Sequence, residues 1–151
     1  MSLHKRAPNA FEPQRANPSD AGLDVFYSPE QEDQAICIEP SESRVIPTGL
    51  RFGVPHGYML EVKNRSSVAA KRSLIVGACV VDSGYDGEVF VNLHNIGKET
   101  QYVRSGDKIA QLVMIPVVNF RATQSTSGDL YRNPITISDR GDGALGSTDN
   151  D

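Results

Sequence analysis

The sequence of 151 residues contains no tryptophan and only two cysteines, Cys37 and Cys79. The cysteines are far apart and match no metal-ligand spacing, so we expect two small, free thiols in a reducing compartment rather than a disulfide or a zinc site. No apolar run is long enough to span a membrane, and residues 1–15 are too polar for a signal peptide. These absences predict a soluble protein of the cytoplasm with no membrane partner.

Basic residues are also scarce, because 15 lysines and arginines face 19 acidic residues and leave a net charge of −4. A protein that binds nucleic acid needs a basic face, so we expect no nucleic-acid partner. A small ligand that carries phosphate remains compatible with this charge if local arginines, backbone N–H groups or a metal ion offset the acidic field.

Long amphipathic helices are missing as well, and short segments with alternating apolar residues take their place. Residues 23–27, 58–63 and 89–95 alternate in this way, and 109–118 is almost continuously apolar, as in a strand buried on both faces. Gln111 interrupts that last run and needs a polar partner. The pattern predicts an all-β sandwich or barrel formed by residues 1–138.

One short helix is expected within this all-β domain. Ser66 or Ser67 is a suitable N-cap, and Lys71 with Arg72 suits the last turn of a helix. A helix this short must pack on a sheet to be stable.

The segment 77–89 combines features of a turn with features of a reactive site. Its apolar start ends on Asp82, Tyr85 follows three residues later, and Asp86-Gly87 is a strong hairpin signal. A carboxylate at a strand end can act as a base toward water, and a flat ring can pack on a sugar. The same residues also fit an ordinary hairpin, so the segment alone leaves both interpretations open.

The last residues, 139–151, form a polar arm. Residues 140–148 contain an arginine, three glycines and a Ser-Thr pair, a composition that suits a phosphate cradle. Composition alone favours a disordered tail. A tail that becomes ordered only on a ligand satisfies both interpretations.

Five short polar blocks therefore follow one another along the chain. In this order and at these spacings they resemble the five motifs of the homotrimeric dUTP pyrophosphatase (dUTPase) family, from residue 20 onward. The blocks are Ala21-Gly22-Leu23-Asp24, Arg65-Ser66-Ser67, residues 77–87, Gly106 to Leu112, and residues 140–148.

The resemblance implies a jelly-roll-like β-barrel subunit, a homotrimer with shared active sites, and a flexible C-terminal lid arm. The implied reaction converts dUTP and water to dUMP and pyrophosphate with Mg²⁺ as the cofactor. This reaction would keep uracil out of DNA and supply dUMP for thymidylate synthesis.

The resemblance also implies a role for each site residue. Asp82 would activate the attacking water, Tyr85 would pack under the deoxyribose, and Asp24 would contact Mg²⁺ through water. The uracil would be read by the hairpin at Gly77, Cys79, Val80 and Val81, with Phe90 opposite. Arg65, Ser66 and Ser67 would bind phosphate, and Gln111 would help to order the phosphates or the attacking water. The residues that would close over the triphosphate as a lid are Arg140, Gly146, Ser147 and Thr148.

The closing block departs from the family pattern, because Leu145 stands where an aromatic residue usually stacks on the uracil. Leucine can cover the base but cannot stack on it, so we expect weaker ordering of the lid with the chemistry retained. This departure keeps open the alternative of a dUTPase-fold regulatory or binding protein with weakened hydrolysis. A dCTP deaminase is disfavoured, because Asn92 occupies the place of the glutamate which that reaction needs. A binding module without chemistry would not explain why five polar blocks occur together.

Overall fold

The computed structural model describes residues 1–31, 34–131 and 141–142, which contain eleven strands and one short helix. The all-β prediction is confirmed. The elements are β1 (Ser2–Lys5), β2 (Gly22–Phe26), β3 (Ile36–Ile38), β4 (Ser43–Pro47), β5 (Leu50–Gly53), β6 (Tyr58–Lys63), α1 (Ser66–Arg72), β7 (Leu74–Val76), β8 (Val80–Val81), β9 (Phe90–Asn95), β10 (Gln101–Val103) and β11 (Lys108–Pro116).

The strands form four antiparallel sheets. The largest has the order β2-β11-β6-β8, and a three-stranded sheet has the order β4-β9-β7. Two further pairs, β1-β5 and β10-β3, complete the arrangement. Every pairing is antiparallel, so neighbouring strands need no helical crossover.

Strand alternation explains how one core forms between the sheets. In a β-strand successive side chains point to opposite faces, so every second apolar residue can be buried. Val62 and Leu112 from the four-stranded sheet are 3% exposed, and Val91 and Leu93 from the three-stranded sheet are fully buried. The residues that alternate with these buried residues along each strand point outward. This alternation places polar side chains on the outer face of the four-stranded sheet.

The prediction that 109–118 is buried on both faces is wrong in its second half. Ile109 and Ala110 are buried, but Met114 is 39% exposed. Val113 and Ile115 are only half-buried. The strand is longer than the core that it covers, so its apolar run continues past the buried region.

The hairpin predicted at Asp86-Gly87 is also wrong. Strand β8 pairs with β6, whereas β9 pairs with β4 and β7, so the strands on either side of this dipeptide belong to different sheets. The tight turn lies earlier, where the Tyr85 N–H donates to the Asp82 carbonyl at 3.2 Å and Gly84 has φ +90°. Only Gly84 has the positive φ that marks a glycine turn in this segment. We call residues 77–89 the connecting segment, because they leave the three-stranded sheet at β7 and return to it at β9.

The predicted helix exists, but its N-cap differs. Arg65 occupies the N-cap position without a side-chain cap hydrogen bond, and Ser66 is already the first helical residue. The basic last turn is confirmed, since Lys71 and Arg72 lie there. Ser73 ends the helix in the left-handed region at φ 53°, and its N–H donates to the Ala69 carbonyl at 3.1 Å.

The chain divides into two compact units, Met1–Asn119 and Phe120–Asp151. In the described part of the second unit, Ser125 Oγ accepts the Gly128 N–H at 3.1 Å, and Ser127 Oγ accepts the Asp129 N–H at 3.2 Å. The predicted boundary between residues 138 and 139 lies outside the described residues and stays a prediction. In the described ranges, no helix combines the length and apolar character needed to cross a membrane.

Candidate active site

The connecting segment carries Asp82 at the edge of a cleft of about 210 Å³. Val81, the residue before it, is 8% exposed and anchors the end of β8 in the core. Ser83, the residue after it, donates its hydroxyl to the Val54 carbonyl at 2.9 Å. Asp82 is exposed between these two anchors. Its backbone is thus fixed, and its carboxylate oxygens have no hydrogen-bond partner among the described residues, as a base that acts on water requires.

The ring of Tyr85 forms part of the wall of the same cleft. Its hydroxyl donates to the Glu88 carbonyl at 2.8 Å, so the ring bends back over Gly87. A Cβ on Gly87 would lie 2.7 Å from Tyr85 Cζ, closer than any side chain tolerates. Gly87 is therefore required for the close approach of the ring rather than for a turn. The ring remains 46% exposed and can accept a flat or apolar ligand face.

Two arginines fasten the loop that carries Tyr85. Arg51 of β5 donates through Nε to the Asp86 carbonyl at 2.8 Å and through Nη2 to the Asp86 carboxylate at 2.5 Å. Arg6 pairs with Glu88, with 2.7 Å between Nη1 and Oε1. Neither arginine could be predicted from the sequence as part of the site, because no local motif marks them. Together they hold the far side of the loop against the N-terminal part of the chain.

The opposite wall of the cleft is the stretch predicted to read the base. Val80 and Phe90 are 58% and 43% exposed, so both offer apolar surface. Cys79 is partly buried, has a free thiol, and accepts the Val62 N–H on its carbonyl at 2.7 Å. Gly77 is exposed. The structure thus brings Asp82, Tyr85 and four base-reading candidates to one cleft, namely Cys79, Val80, Val81 and Phe90, whereas Gly77 is not part of its lining.

A second cluster forms around Asp24, which is 9% exposed. Arg65 Nε donates to Asp24 Oδ1 at 3.0 Å, and Lys108 Nζ lies 3.4 Å from Oδ2. Ser66 and Ser67 are exposed at the start of α1, beside Arg65. The metal-contacting and phosphate-binding candidates of the sequence analysis are therefore paired with each other. Lys108 was missed, although it lies inside the fourth polar block.

Gln111 joins this cluster through strand register, since it lies directly opposite Asp24 on β2 and Lys63 on β6. Its Nε2 donates to the Asn64 carbonyl at 2.9 Å, which confirms that this polar residue in an apolar run has a partner. Its side chain fills the place where Gly22 has no Cβ, because a Cβ there would lie 2.3 Å from Gln111 Oε1. The glycine of the first block thus makes room for the glutamine of the fourth.

Beside this cluster, α1 borders a cleft of about 270 Å³ with four cationic side chains. One acidic residue, Asp107, shares this lining, and its Oδ2 lies 3.5 Å from Arg72 Nη1. The local charge is positive although the whole chain is negative, which suits an anionic ligand. The four cations are Arg65, Lys71, Arg72 and Lys108.

The two clusters lie far apart within one chain. Asp24 is on β2, and Asp82 follows β8, three strands away across the sheet. Leu60 pairs with Val81 and Lys63 pairs with Gln111, so Asp82 is also displaced by about four residues along β6. Strand spacing and rise give roughly 14 Å across the sheet and 13 Å along it, or roughly 19 Å in total. A triphosphate chain is too short to bridge this distance.

Two further parts of the predicted site are the C-terminal arm and the metal site. Arg140, Leu145, Gly146, Ser147 and Thr148 lie outside the described residues. Among the described residues, no group of three or more His, Cys, Asp or Glu side chains is arranged to hold a metal ion. An ion at this site would therefore need most of its ligands from water or from a bound molecule.

Comparison with known proteins identifies the family. The family model described as dUTPase matches residues 9–148. A deoxyuridine 5'-triphosphate nucleotidohydrolase of Desulfitobacterium hafniense is 39% identical over 140 residues, with 90% of this chain and 85% of that protein covered. The protein of the same name from Desulfotalea psychrophila is 37% identical over 130 residues, with 85% and 80% covered.

Solved structures agree with this result. The dUTPase from phage phi11 of S. aureus superposes with a TM-score of 0.75 at 26% identity, covering 83% of this chain and 95% of that one. A mutant of the same phage enzyme was described with a structural Mg(II) ion. The dUTPase of Staphylococcus bacteriophage 80alpha, solved with dUpNHpp, has the same fold with a TM-score of 0.81 at 24% identity and covers 97% of this chain and 96% of that one. The jelly-roll-like fold is confirmed, and the chain belongs to the dUTPase family.

Proposed function

We propose that this protein is a dUTP diphosphatase that hydrolyses dUTP to dUMP and pyrophosphate. The observation that carries the proposal is the cleft that Asp82, the Tyr85 ring and residues 78–80 line together. An enzyme that hydrolyses a nucleotide needs a surface that recognises the nucleobase, a surface that packs on the sugar, and a general base near the phosphorus. This cleft offers one of each. The reaction removes dUTP from the pool available to DNA synthesis and provides dUMP for thymidylate.

Asp82 acts as the general base in this proposal. Phosphoanhydride hydrolysis needs a positioned water in line with the leaving group rather than a covalent nucleophile. The carboxylate accepts a proton from the water as it attacks the α-phosphorus, and pyrophosphate leaves. The anchors at Val81 and Ser83 fix the backbone on both sides of Asp82, so the carboxylate needs little reorganisation.

Tyr85 selects the sugar. Its hydroxyl is engaged by the Glu88 carbonyl, so the ring presents its exposed face and cannot easily rotate away. A deoxyribose packs on this face, whereas a 2′-hydroxyl would be pressed against apolar carbon and lose its hydration. Discrimination against UTP follows from this contact.

Arg65, Ser66, Ser67 and Gln111 bind the phosphates, and the basic cleft beside α1 supplies the positive field. Mg²⁺ fits this donor set, because the ion prefers one or two carboxylates together with substrate phosphates and water. Asp24 is the described carboxylate that would hold it through water, since Arg65 and Lys108 already engage its oxygens. When bound, Mg²⁺ neutralises charge on the triphosphate.

The active protein is a homotrimer in this proposal. Asp82 and the phosphate-binding cluster are roughly 19 Å apart in one chain by strand geometry, which is too far for one triphosphate. If the cleft of one subunit faces the Arg65 cluster of another, a single dUTP can contact both. Arg140, Leu145, Gly146, Ser147 and Thr148 of the C-terminal arm then close over the nucleotide as a lid.

Deamination of the base is disfavoured by the environment of Asn92. Its side-chain Oδ1 accepts the Ala78 N–H at 3.2 Å and lies 3.0 Å from His94 Nε2. A side-chain amide in this position cannot transfer protons to the nucleobase, as deamination requires.

The alternative of a regulatory or binding protein predicts that dUTP binds but is hydrolysed slowly.

The proposal is tested by measuring pyrophosphate release from dUTP, with and without Mg²⁺, beside dCTP, dTTP and UTP. Among the four nucleotides, we expect rapid release of pyrophosphate only from dUTP, and we expect the rate of this release to depend on Mg²⁺. Sedimentation of the same sample should give three subunits. Binding of dUTP without turnover would favour the regulatory alternative, and absence of both binding and turnover would refute the proposal.

A further inference from the structure

The residue that supports the Tyr85 ring is Glu88, at the end of the connecting segment. Its carbonyl accepts the Tyr85 hydroxyl at 2.8 Å, and the ring lies over Gly87, the residue before it. Both of these contacts belong to one short piece of backbone. The position of the ring therefore depends on where residues 87 and 88 lie.

The Glu88 side chain turns away from solvent, and only 7% of it is exposed. Oε1 of its carboxylate accepts a hydrogen bond from Arg6 Nη1 at 2.7 Å. The other oxygen, Oε2, is buried and has no hydrogen-bond partner among the described residues. Glu88 also borders a cavity of about 30 Å³, which it shares with Ser28 and which is large enough for one water molecule. In the described part of the chain, Arg6 is thus the cation on which this buried carboxylate depends.

The short connection between β4 and β5 places the two partners side by side. The Arg6 N–H donates to the Gly49 carbonyl at 2.8 Å, and the Val89 N–H donates to the Leu50 carbonyl at the same distance. Gly49 has φ +71°, a conformation that glycine adopts without strain. Two successive carbonyl groups therefore hold Arg6 itself and the neighbour of Glu88.

The energetics of the pair show what the loss of Arg6 would do. Removing one partner of a buried ion pair leaves an uncompensated buried charge, whereas a neutral side chain of the same shape carries no such penalty. Without Arg6, the Glu88 carboxylate would move toward water and displace the backbone of residues 87 and 88. Glu30 also pairs with Arg6, but its side chain is 69% exposed and can be hydrated without the arginine. Arg6 therefore acts on the loop through Glu88.

We propose that Arg6 and Glu88 are positioning residues for sugar selection, because their ion pair holds the backbone on which the Tyr85 ring rests. Both act through the ring rather than through the nucleotide. A buried ion pair adds little net stability, so its role here is the fixed position that it imposes on the loop. The inference rests on the proposed function, because it assigns the deoxyribose to the Tyr85 ring.

The test is a double-mutant cycle that measures the ratio of kcat/KM for dUTP to kcat/KM for UTP in the wild type, Arg6→Ala, Glu88→Gln and the double variant. We expect Arg6→Ala to lower the ratio at least about fivefold, because the ring loses its fixed support. Glu88→Gln keeps the shape of the side chain and needs no counter-ion, so its ratio should stay within about twofold of the wild type. Adding Arg6→Ala to Glu88→Gln should then lower the ratio by less than about twofold. A general loss of stability would instead lower the activity toward both substrates alike.

Lys5→Ala is the matched control, since Lys5 precedes Arg6 and loses only a surface pair with Glu12, in which Nζ and Oε1 are 3.1 Å apart. We expect its ratio to equal that of the wild type. Tyr85→Ala gives the ratio that is reached when the ring is absent. If Arg6→Ala does not fold, Arg6→Gln, which keeps hydrogen-bond donors without the charge, takes its place in the cycle.

An Arg6→Ala protein that hydrolyses dUTP with the wild-type ratio would overturn the positioning role. An equal loss of the ratio in the presence and in the absence of the Glu88 carboxylate would overturn it as well. A wild-type ratio in Tyr85→Ala would overturn both the assignment of the sugar to Tyr85 and this inference. A wild-type protein that does not hydrolyse dUTP would overturn the proposed function itself.

Discussion

Arg65 and Asp24 form an ion pair in which Nε and Oδ1 are 3.0 Å apart, with side chains 25% and 12% exposed. Lys108 lies on the other carboxylate oxygen at 3.4 Å. The two cations thus neutralise Asp24 when no ligand is bound. A phosphate that approaches Arg65 must share it with Asp24, and a hydrated metal ion that approaches Asp24 must share the carboxylate with both cations.

Replacing Asp24 should reveal this competition. We expect Asp24→Asn to lower the free energy of unfolding by about 2 kcal/mol, less than for a fully buried pair because both partners are partly exposed. The freed Arg65 should bind inorganic triphosphate more tightly without Mg²⁺, while activation by Mg²⁺ should weaken. Denaturant unfolding and calorimetric titration measure these effects. Asp129→Asn, an exposed change in the second unit, serves as the control, and equal triphosphate affinity in both variants would argue against the competition.

Asp82→Asn should abolish turnover and leave nucleotide binding nearly intact. The amide keeps the shape of the carboxylate but cannot accept a proton from water, so we expect kcat to fall by about a thousandfold with little change in KM. Asp86→Asn is the matched control, since Asp86 lies in the same loop and the amide of the variant keeps an oxygen that can accept a hydrogen bond from Arg51. Measurable turnover of Asp82→Asn near the wild-type rate would mean that another group is the base.

Gly87→Ala should disturb sugar selection without touching the ligand directly. The new Cβ would lie 2.7 Å from Tyr85 Cζ and push the ring away. We therefore expect discrimination between dUTP and UTP to decrease, as it should in Tyr85→Ala. Tyr85→Phe keeps the ring and loses only the hydrogen bond to Glu88, so its selectivity should stay closer to that of the wild type. Unchanged selectivity in Gly87→Ala would place sugar recognition elsewhere.

The burial of the Tyr27 side chain should make the protein less stable at high pH. Its side chain is 2% exposed, and burial raises its pKa above the ordinary value of 10.0. Above about pH 10 the unfolded chain loses the phenolic proton while the folded chain retains it, so the free energy of unfolding falls as pH rises. Denaturant unfolding between about pH 9 and pH 11 measures this slope. Tyr27→Phe should flatten it, and an equal slope in both proteins would contradict the assignment.

Truncation after Ser138 should test the arm. We expect hydrolysis to fall sharply, because Arg140 and the Ser147-Thr148 pair no longer reach the triphosphate, while the number of subunits stays the same. Single-turnover kinetics and sedimentation measure the two properties. Full activity of the shortened chain would refute a role for the arm as a lid.

Much of this architecture could be predicted from the sequence, because alternating apolar residues directly encode which side of a strand is buried. The alternating residues 58–63, for example, form β6 at the same bounds, with Leu60 and Val62 buried. The hairpin at Asp86-Gly87 was not, because a two-residue signal describes a turn but not which sheet each neighbouring strand joins. Sheet membership depends on long-range pairing, which no local pattern contains.

The candidate site shows the same division. Asp82, Tyr85 and Gln111 stand out as polar or aromatic residues beside apolar runs, so residue type and position suffice to find them. Arg51 and Asn92 act through contacts with residues 35 and 14 positions away in sequence, and nothing in their immediate neighbourhood marks them. The pairing of Arg65 with Asp24 joins two blocks 41 residues apart and likewise appears only in the fold.

The contact between Gly22 and Gln111 has a consequence for anyone who redesigns this enzyme. The amide of Gln111 fills the space that a side chain at residue 22 would need, so the residue type at neither position can be changed independently of the other. A library that varies residue 22 with glutamine retained at 111 would consist largely of misfolded members. Varying both positions together, with small residues at 111 wherever 22 is enlarged, would explore sequences that single substitutions cannot reach.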